Sequence, residues 1–184
     1  MVASPMGLCS GDAISLDCTD LGENGDGDAV VGDALKAVYT FTNDGDGSYT
    51  RNFIQNRPTK VNAVAFADID HDGDQDFAVA EDSMTMAIYK NSGGTFTGAD
   101  IGTADGVPKD IMVLDYNSDG ALDVVVSTAN GHLDAFKNIT TSFTQVDLGA
   151  SMAPISFNRF DHADLDMDGD QDFAIGDAGG DVRF

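Results

Sequence analysis

Along this chain apolar residues gather in short runs broken by Gly, Asn and Asp, and no stretch holds a helical spacing for the length a helix needs. The runs fall at residues 61–67, 77–80, 87–89, 96–101, 111–114, 122–126, 133–136, 143–148 and 173–175. Val, Ile, Phe and Tyr dominate them, and these residues suit a pleated, half-buried surface. Each run is therefore expected to be a short strand, and the chain to be all-β.

The runs repeat in register with two polar landmarks. Acidic nonapeptides begin at Asp68 (DIDHDGDQD), Asp115 (DYNSDGALD) and Asp164 (DLDMDGDQD), with a weaker copy at Asp20 (DLGENGDGD). In chain order their first residues are 48, 47 and 49 positions apart. Asn43, Asn91 and Asn138, 48 and 47 apart, each open a polar turn leading to Tyr49, Phe96 or Phe143. Two landmarks with one period define four repeats in a single domain: 11–58, 59–106, 107–153 and 154–184. Each repeat supplies strands A to D, the Asp loop joining A to B and the Asn turn joining C to D. That is the blade pattern of a β-propeller, here one of four four-stranded antiparallel blades.

The repeat phase also predicts how the last blade is completed. Repeat four stops at Phe184, the counterpart of Phe41, Tyr89 and Phe136, before a strand D. Residues 1–10 stand in phase with a strand D, since Gly7 precedes Asp20 by 13 residues as Gly102 precedes Asp115. An unpaired edge on strand C would invite aggregation. The N-terminal strand is therefore expected to cover it, within its own chain or, head to tail, in a neighbouring subunit.

Charge narrows the partners. The formal net charge is -23, with 9 Lys and Arg against 32 Asp and Glu, which argues against nucleic acid and anionic membrane. No segment has the apolar length of a membrane span or the layout of a signal peptide. Only Glu23 and Glu81 are glutamates, so 30 of the 32 acids are Asp, a bias that points to tight metal-binding loops. Cys9 and Cys18 read either as two free, partly buried thiols or, in a secreted protein, as a disulfide joining neighbouring strands, the latter slightly favoured, and Asn138-Ile139-Thr140 is a glycosylation sequon.

The Asp loops carry the chemistry. In D-x-[DN]-x-D-G-x-x-D, residues 1, 3 and 5 can turn oxygen ligands inward. Gly at 6 permits the bend, position 7 offers a carbonyl, and Asp at 9 closes the shell. The expected ligands are Asp68, Asp70, Asp72, Asp74 and Asp76; Asp115, Asn117, Asp119, Ala121 and Asp123; and Asp164, Asp166, Asp168, Asp170 and Asp172. Hard oxygens at this density suit Ca2+, with three sites expected. The first loop has Gly22 at position 3, leaving Asp20, Asn24, Asp26 and Asp28 for a weak fourth site. An EF-hand is excluded, because its closing Glu would fall on Val79, Val126 and Ile175. No catalytic motif is present, and His71, His132 and His162 read as surface residues.

These loops, the apolar strand after each, and the turn Asn43-Asp44-Gly45-Asp46-Gly47-Ser48-Tyr49 resemble FG-GAP/VCBS-type repeats, as in integrin-α-like propellers. The resemblance implies a calcium-stabilised, non-enzymatic extracellular propeller for adhesion, recognition or scaffolding. Its partners would be a protein or glycan at the cell surface, or copies of itself. Two further functions are compatible with the repeats: a fibre or matrix subunit that assembles by strand donation, and the propeller part of a larger enzyme or receptor.

Overall fold

The computed structural model describes residues 7–149, 157–167, 171–177 and 182–183. Three four-stranded antiparallel sheets and one three-stranded sheet follow one another along the chain. Blade one holds β1 (Ala13–Thr19), β2 (Asp28–Asp33), β3 (Ala37–Asn43) and β4 (Tyr49–Asn56). Blade two holds β5 (Val61–Ala67), β6 (Asp76–Glu81), β7 (Thr85–Ser92) and β8 (Thr95–Thr103). Blade three holds β9 (Pro108–Leu114), β10 (Asp123–Thr128), β11 (Leu133–Asn138) and β12 (Phe143–Gly149). The last sheet holds β13 (Phe157–Ala163), β14 (Asp172–Asp177) and β15 (Val182–Arg183). In each sheet the strands lie in chain order, and consecutive strands pair antiparallel. The architecture is that of β-propeller blades.

Burial follows strand position. Strands β2, β6 and β10, second in their blades, are buried at every residue because a neighbouring layer covers each face. Strands β4, β8 and β12 are mostly exposed with some half-buried residues, as outer edges are. The cores lie between blades. Val30 and Val38 of blade one pack with Val61, Val64, Phe77 and Val79 of blade two. Ala78, Met86 and Ile88 of blade two pack with Ile111, Val124 and Phe136 of blade three. Val125 and Leu133 of blade three meet Phe160, with Phe173 and Ile175 against them. Gly32 lets the first two blades approach, since a Cβ there would overlap Val61.

The innermost strands differ. The N–H of Val64 donates to Ser15 Oγ (3.1 Å) and that of Phe66 to Asp17 Oδ2 (2.8 Å), so β1 supplies side-chain acceptors to β5. Yet β1 itself leaves Ile14 43% and Leu16 61% exposed, whereas Val61, Ala63, Val64 and Ala65 of β5 are all buried. Blade one has a covered side toward blade two and an open inner strand.

The segment before β1 is described from Gly7 onward. Gly7 (φ 141°) lies against Phe41 and Gly102 (φ 154°) against Phe136, each so closely that a Cβ would fall 2.9 or 2.6 Å from the ring. The guanidinium of Arg51 donates to the Leu8 carbonyl, and Ser10 Oγ and Gly11 N–H donate to the buried Asp33 carboxylate (2.6 and 3.0 Å). Burial alone would raise the Asp33 pKa, but these bonds and those from Leu35 and Ala37 hold it below the ordinary value. Residues 7–12 are not strand, and the expected strand pairing of residues 1–6 lies outside the described residues.

The disulfide expectation is corrected: Cys9 and Cys18 are free thiols. Cys9 packs against the Tyr39 and Phe41 cluster beside Asp33, whereas Cys18 pairs with Ala29 at the other end of β2. At about 3.3 Å per strand residue that places them far beyond the roughly 7 Å Cα limit for a bridge.

Candidate metal centre

The first three Asp loops are built on one hydrogen-bond skeleton that the spacing alone did not reveal. The carboxylate at position 1 accepts the N–H groups of positions 5 and 6. Asp68 takes Asp72 and Gly73 (both 3.1 Å), Asp115 takes Asp119 and Gly120 (3.1 and 2.8 Å), and Asp20 takes Asn24 and Gly25 (3.0 and 2.7 Å). Position 5 in turn accepts the N–H of position 7, from Asp72 to Asp74 (2.9 Å), Asp119 to Ala121 (3.0 Å) and Asn24 to Asp26 (2.8 Å). The chain can follow this path because position 4 is left-handed, at Glu23, His71, Ser118 and Met167 (φ 50–63°). Glycine then takes position 6, where Gly25, Gly73 and Gly120 have φ of 87–96°.

The aspartate at position 9 opens strand B and is buried beneath the loop. Asp76 Oδ2 accepts the N–H of Ile69 (3.0 Å) and Oδ1 that of Asn91 (2.7 Å). Asp28 takes Leu21 (2.8 Å) and Asn43 (2.7 Å), and Asp123 takes Asn138 (2.7 Å). This residue ties the A–B loop to the Asn that opens the C–D turn, so the two sequence landmarks recur in phase because they touch. The same turn occupies Asn138: its Nδ2 donates to the Leu122 carbonyl (3.2 Å), as Asn91 Nδ2 does to Gln75 (3.2 Å). The sequon asparagine is thus a bonded part of its turn.

Positions 1, 3 and 9 converge. Ligand oxygens of Asp68, Asp70 and Asp76 lie within 4.8 Å of one another, and so do those of Asp164, Asp166 and Asp172. In blade three, Asn117 Nδ2 bonds Asp123 Oδ2 (2.6 Å), bringing the same positions together. Asp172 also accepts the N–H of Leu165 (2.9 Å), as Asp76 does that of Ile69. Asp168 and Asp170 lie outside the described residues. In the first loop Gly22 leaves position 3 without a ligand although the skeleton is intact. A carboxylate retains lone pairs after accepting an N–H, so the bonded oxygens can still ligate a cation.

Two lysines enter the loops, which the repeat pattern did not signal. Lys90 Nζ lies 2.8 Å from Asp70 and Lys137 Nζ 2.9 Å from Asp119. They stand 47 residues apart at matching places on strand C. Carboxylate repulsion in the metal-free loops is thereby reduced, with Asp119 held below the ordinary carboxylate pKa by its bonds to Lys137 and Ala121. Asp76 moves the other way. Burial, with Asp70 and Asp72 adding repulsion against the bonds from Asn91 and Ile69, pushes it up to about 6.

That shift has a sign. Because the folded-state value lies above the ordinary 3.8, ionising Asp76 costs stability as pH rises from about 4 through 6 in metal-free protein. A carboxyl-carbon NMR titration in chelator should show Asp76 with a midpoint near 6, and calcium should move that midpoint down, because a cation favours the carboxylate. An ordinary midpoint in chelator would contradict the burial described here.

Residues 68–126 match the FG-GAP-like repeat family. No curated protein sequence matches the chain. Among solved structures it is similar to BBS1N in complex with ARL6DN, in a crystal soaked with lead, at TM-score 0.60 and 13% identity over 96% of this chain and 52% of that one. A mercury-soaked crystal of the same complex gives TM-score 0.56 and 13% identity over 91% and 49%. The chain thus spans about half the length of the solved chains it matches. The matched segment, the phased acidic loops and the successive antiparallel sheets agree: residues 68–126 are similar to FG-GAP-like repeats, in a chain with a β-propeller fold.

Proposed function

We propose that this chain is a calcium-stabilised, non-enzymatic interaction module that works outside the cell, with Ca2+ held in the A–B loops of blades two to four. The observation that carries the reading is the convergence of positions 1, 3 and 9, at Asp68, Asp70 and Asp76 and again at Asp164, Asp166 and Asp172. All-oxygen ligands of this density favour Ca2+ over Mg2+, which keeps more water, and over transition metals, which seek imidazole or thiolate. A cation there locks the loop to strand B and the C–D turn, a structural role. The partner we propose is a protein or a cell-surface glycan, met by the loop rims. BBS1N, with a comparable fold, is crystallised in complex with ARL6DN.

The open inner strand favours a second feature. Ile14 and Leu16 of β1 are exposed where the inner strands of blades two and three are packed, and Gly7 meets Phe41 as Gly102 meets Phe136. A preceding blade would fit against that side of blade one. We propose that the working propeller is completed there, by more blades of a longer chain or by strand donation from a second copy.

Isothermal titration with CaCl2 tests the metal reading. Three sites are expected, with a weak fourth in the first loop. Asp70→Asn should remove one of them, and Asp26→Ala should change none because position 7 contributes its carbonyl. No saturable binding would refute the assignment.

A further inference from the structure

The rim opposite the Asp loops is gripped differently in blade three. In blades one and two, the last residue of strand B is a buried carboxylate that holds the incoming linker. Asp33 takes Ser10 and Gly11, and Glu81 takes Arg57 and Thr59. In blade three that place is Thr128, which bonds Asn130 and His132 instead (2.6 and 2.9 Å). The linker is held by another acid: Asp105 N–H donates to Asp134 Oδ2 at 2.7 Å.

Around that contact four ionisable side chains gather. Asp134 and Asp147 are register partners on β11 and β12, directly across the sheet from each other. Like charges in that relation repel. His132 lies just before β11, two residues ahead of Asp134. Ligand atoms of Asp105, His132 and Asp147 lie within 4.8 Å of one another. Two buried atoms at this place lack any hydrogen-bond partner, Asp134 Oδ1 and His132 Nδ1, and Asp134 is fully buried. Their neighbours are otherwise bonded: Asp105 Oδ1 accepts from Gln145 (3.3 Å) and Asp147 Oδ1 from the N–H of Gly149 (3.0 Å).

Blade two shows what such a place requires. Asp100 stands 47 residues before Asp147 and pairs with Ala87 as Asp147 pairs with Asp134. There a guanidinium supplies the positive charge, with Arg57 Nη2 2.6 Å from Asp100 and 2.5 Å from Glu81. Blade three has Ala104 at the position of Arg57 and two more carboxylates, Asp105 and Asp134. Among the described residues no Lys or Arg is paired with any of the four groups. A buried carboxylate oxygen and a buried imidazole nitrogen left without partners beside two further acids are costly without a cation.

We propose that Asp105, His132 and Asp147, with Asp134 beneath them, bind a first-row divalent transition-metal ion of the Zn2+ type. An imidazole among carboxylates distinguishes this site from the all-oxygen Asp loops and selects against Ca2+. The ion pins the linker between blades two and three to the start of β11 and the end of β12, at the opposite end of the blade from the Asp115 loop.

The test uses the full chain saturated with calcium, titrated with ZnCl2 by calorimetry and with CoCl2 by visible absorption. One equivalent of Zn2+ is expected, with a Co2+ spectrum characteristic of nitrogen and oxygen ligands. His132→Ala and Asp147→Asn should each weaken Zn2+ binding by at least tenfold while calcium binding at the Asp loops, which reports a folded protein, is unchanged. Asp147 is exposed, so its variant keeps the test valid should His132→Ala fail to fold. No Zn2+ binding to the calcium-loaded protein, binding equal in the folded variants, or loss of a calcium site in Asp147→Asn would each overturn the proposal.

Discussion

Chelating divalent cations is expected to lower the melting temperature of this chain by roughly 15–30 °C relative to millimolar calcium. Each site present only in the folded state contributes about 2.7 kcal/mol when calcium exceeds its Kd by about 100-fold. A domain of this size shifts by about 2–4 °C per kcal/mol, and three loops are proposed to bind. The loops are also held by backbone hydrogen bonds and by two lysine contacts, Lys90 with Asp70 and Lys137 with Asp119. Chelation should therefore loosen the loop rim without dissolving the strands, leaving the far-UV circular dichroism of a β protein at low temperature. Identical melting curves in calcium and in chelator would contradict a structural role for the ion.

Arg57→Ala is expected to be the most damaging single substitution at a blade junction, destabilising by about 3–5 kcal/mol in urea denaturation. Arg57 leads from blade one into blade two and is 7% exposed. Its Nε and Nη2 bond Glu81 (2.8 and 2.5 Å), Nη1 bonds the Tyr89 hydroxyl (3.3 Å), and that hydroxyl donates to Gln55 (3.2 Å). Burial opposes the charge on Arg57, but hydrogen bonds to Asp100, Glu81 and Tyr89 hold its pKa above the ordinary value. Truncating it strands the fully buried Glu81 carboxylate, so the cost is that of an uncompensated buried charge. Glu81→Gln in the Arg57→Ala background should recover part of the loss for that reason. Asp100→Asn should cost about 1 kcal/mol or less, since its side chain is 61% exposed and solvent screens the pair. Equal losses for Arg57→Ala and Asp100→Asn would show that the buried Glu81 pair is not what matters.

The blade architecture was legible because the period is written twice. Residues 61–67 were expected as a strand and β5 spans Val61–Ala67, while the run at 173–175 is the middle of β14, Asp172–Asp177. Boundaries were read short elsewhere because polar residues join the strands: Asp76 and Glu81 cap β6, and Thr85 and Ser92 lie at the ends of β7. Positions 1, 3, 5, 7 and 9 of the Asp loops were legible as a set around one ion, and the structure brings side-chain oxygens of positions 1, 3 and 9 together at Asp68, Asp70 and Asp76 and at Asp164, Asp166 and Asp172. The bonding of position 9 was not legible, because its partners, Asn91 and Asn138, are 15 residues away in sequence. Arg57 with Glu81, and His132 with three aspartates, were invisible for the same reason. Each set gathers from a linker and different strands of one blade, and His132 has no metal motif around it. The free cysteines were misread because two cysteines nine residues apart look close until a strand is laid between them.

The most direct test of calcium in the Asp loops is anomalous diffraction from crystals grown with calcium. The account predicts a peak in the loops of blades two, three and four, with oxygens of Asp68, Asp70 and Asp72, and their counterparts, at about 2.3–2.6 Å. It also predicts that bound calcium displaces Lys90 from Asp70 and Lys137 from Asp119. Loops that remain without a peak at millimolar calcium, with Lys90 still bonded to Asp70, would contradict it.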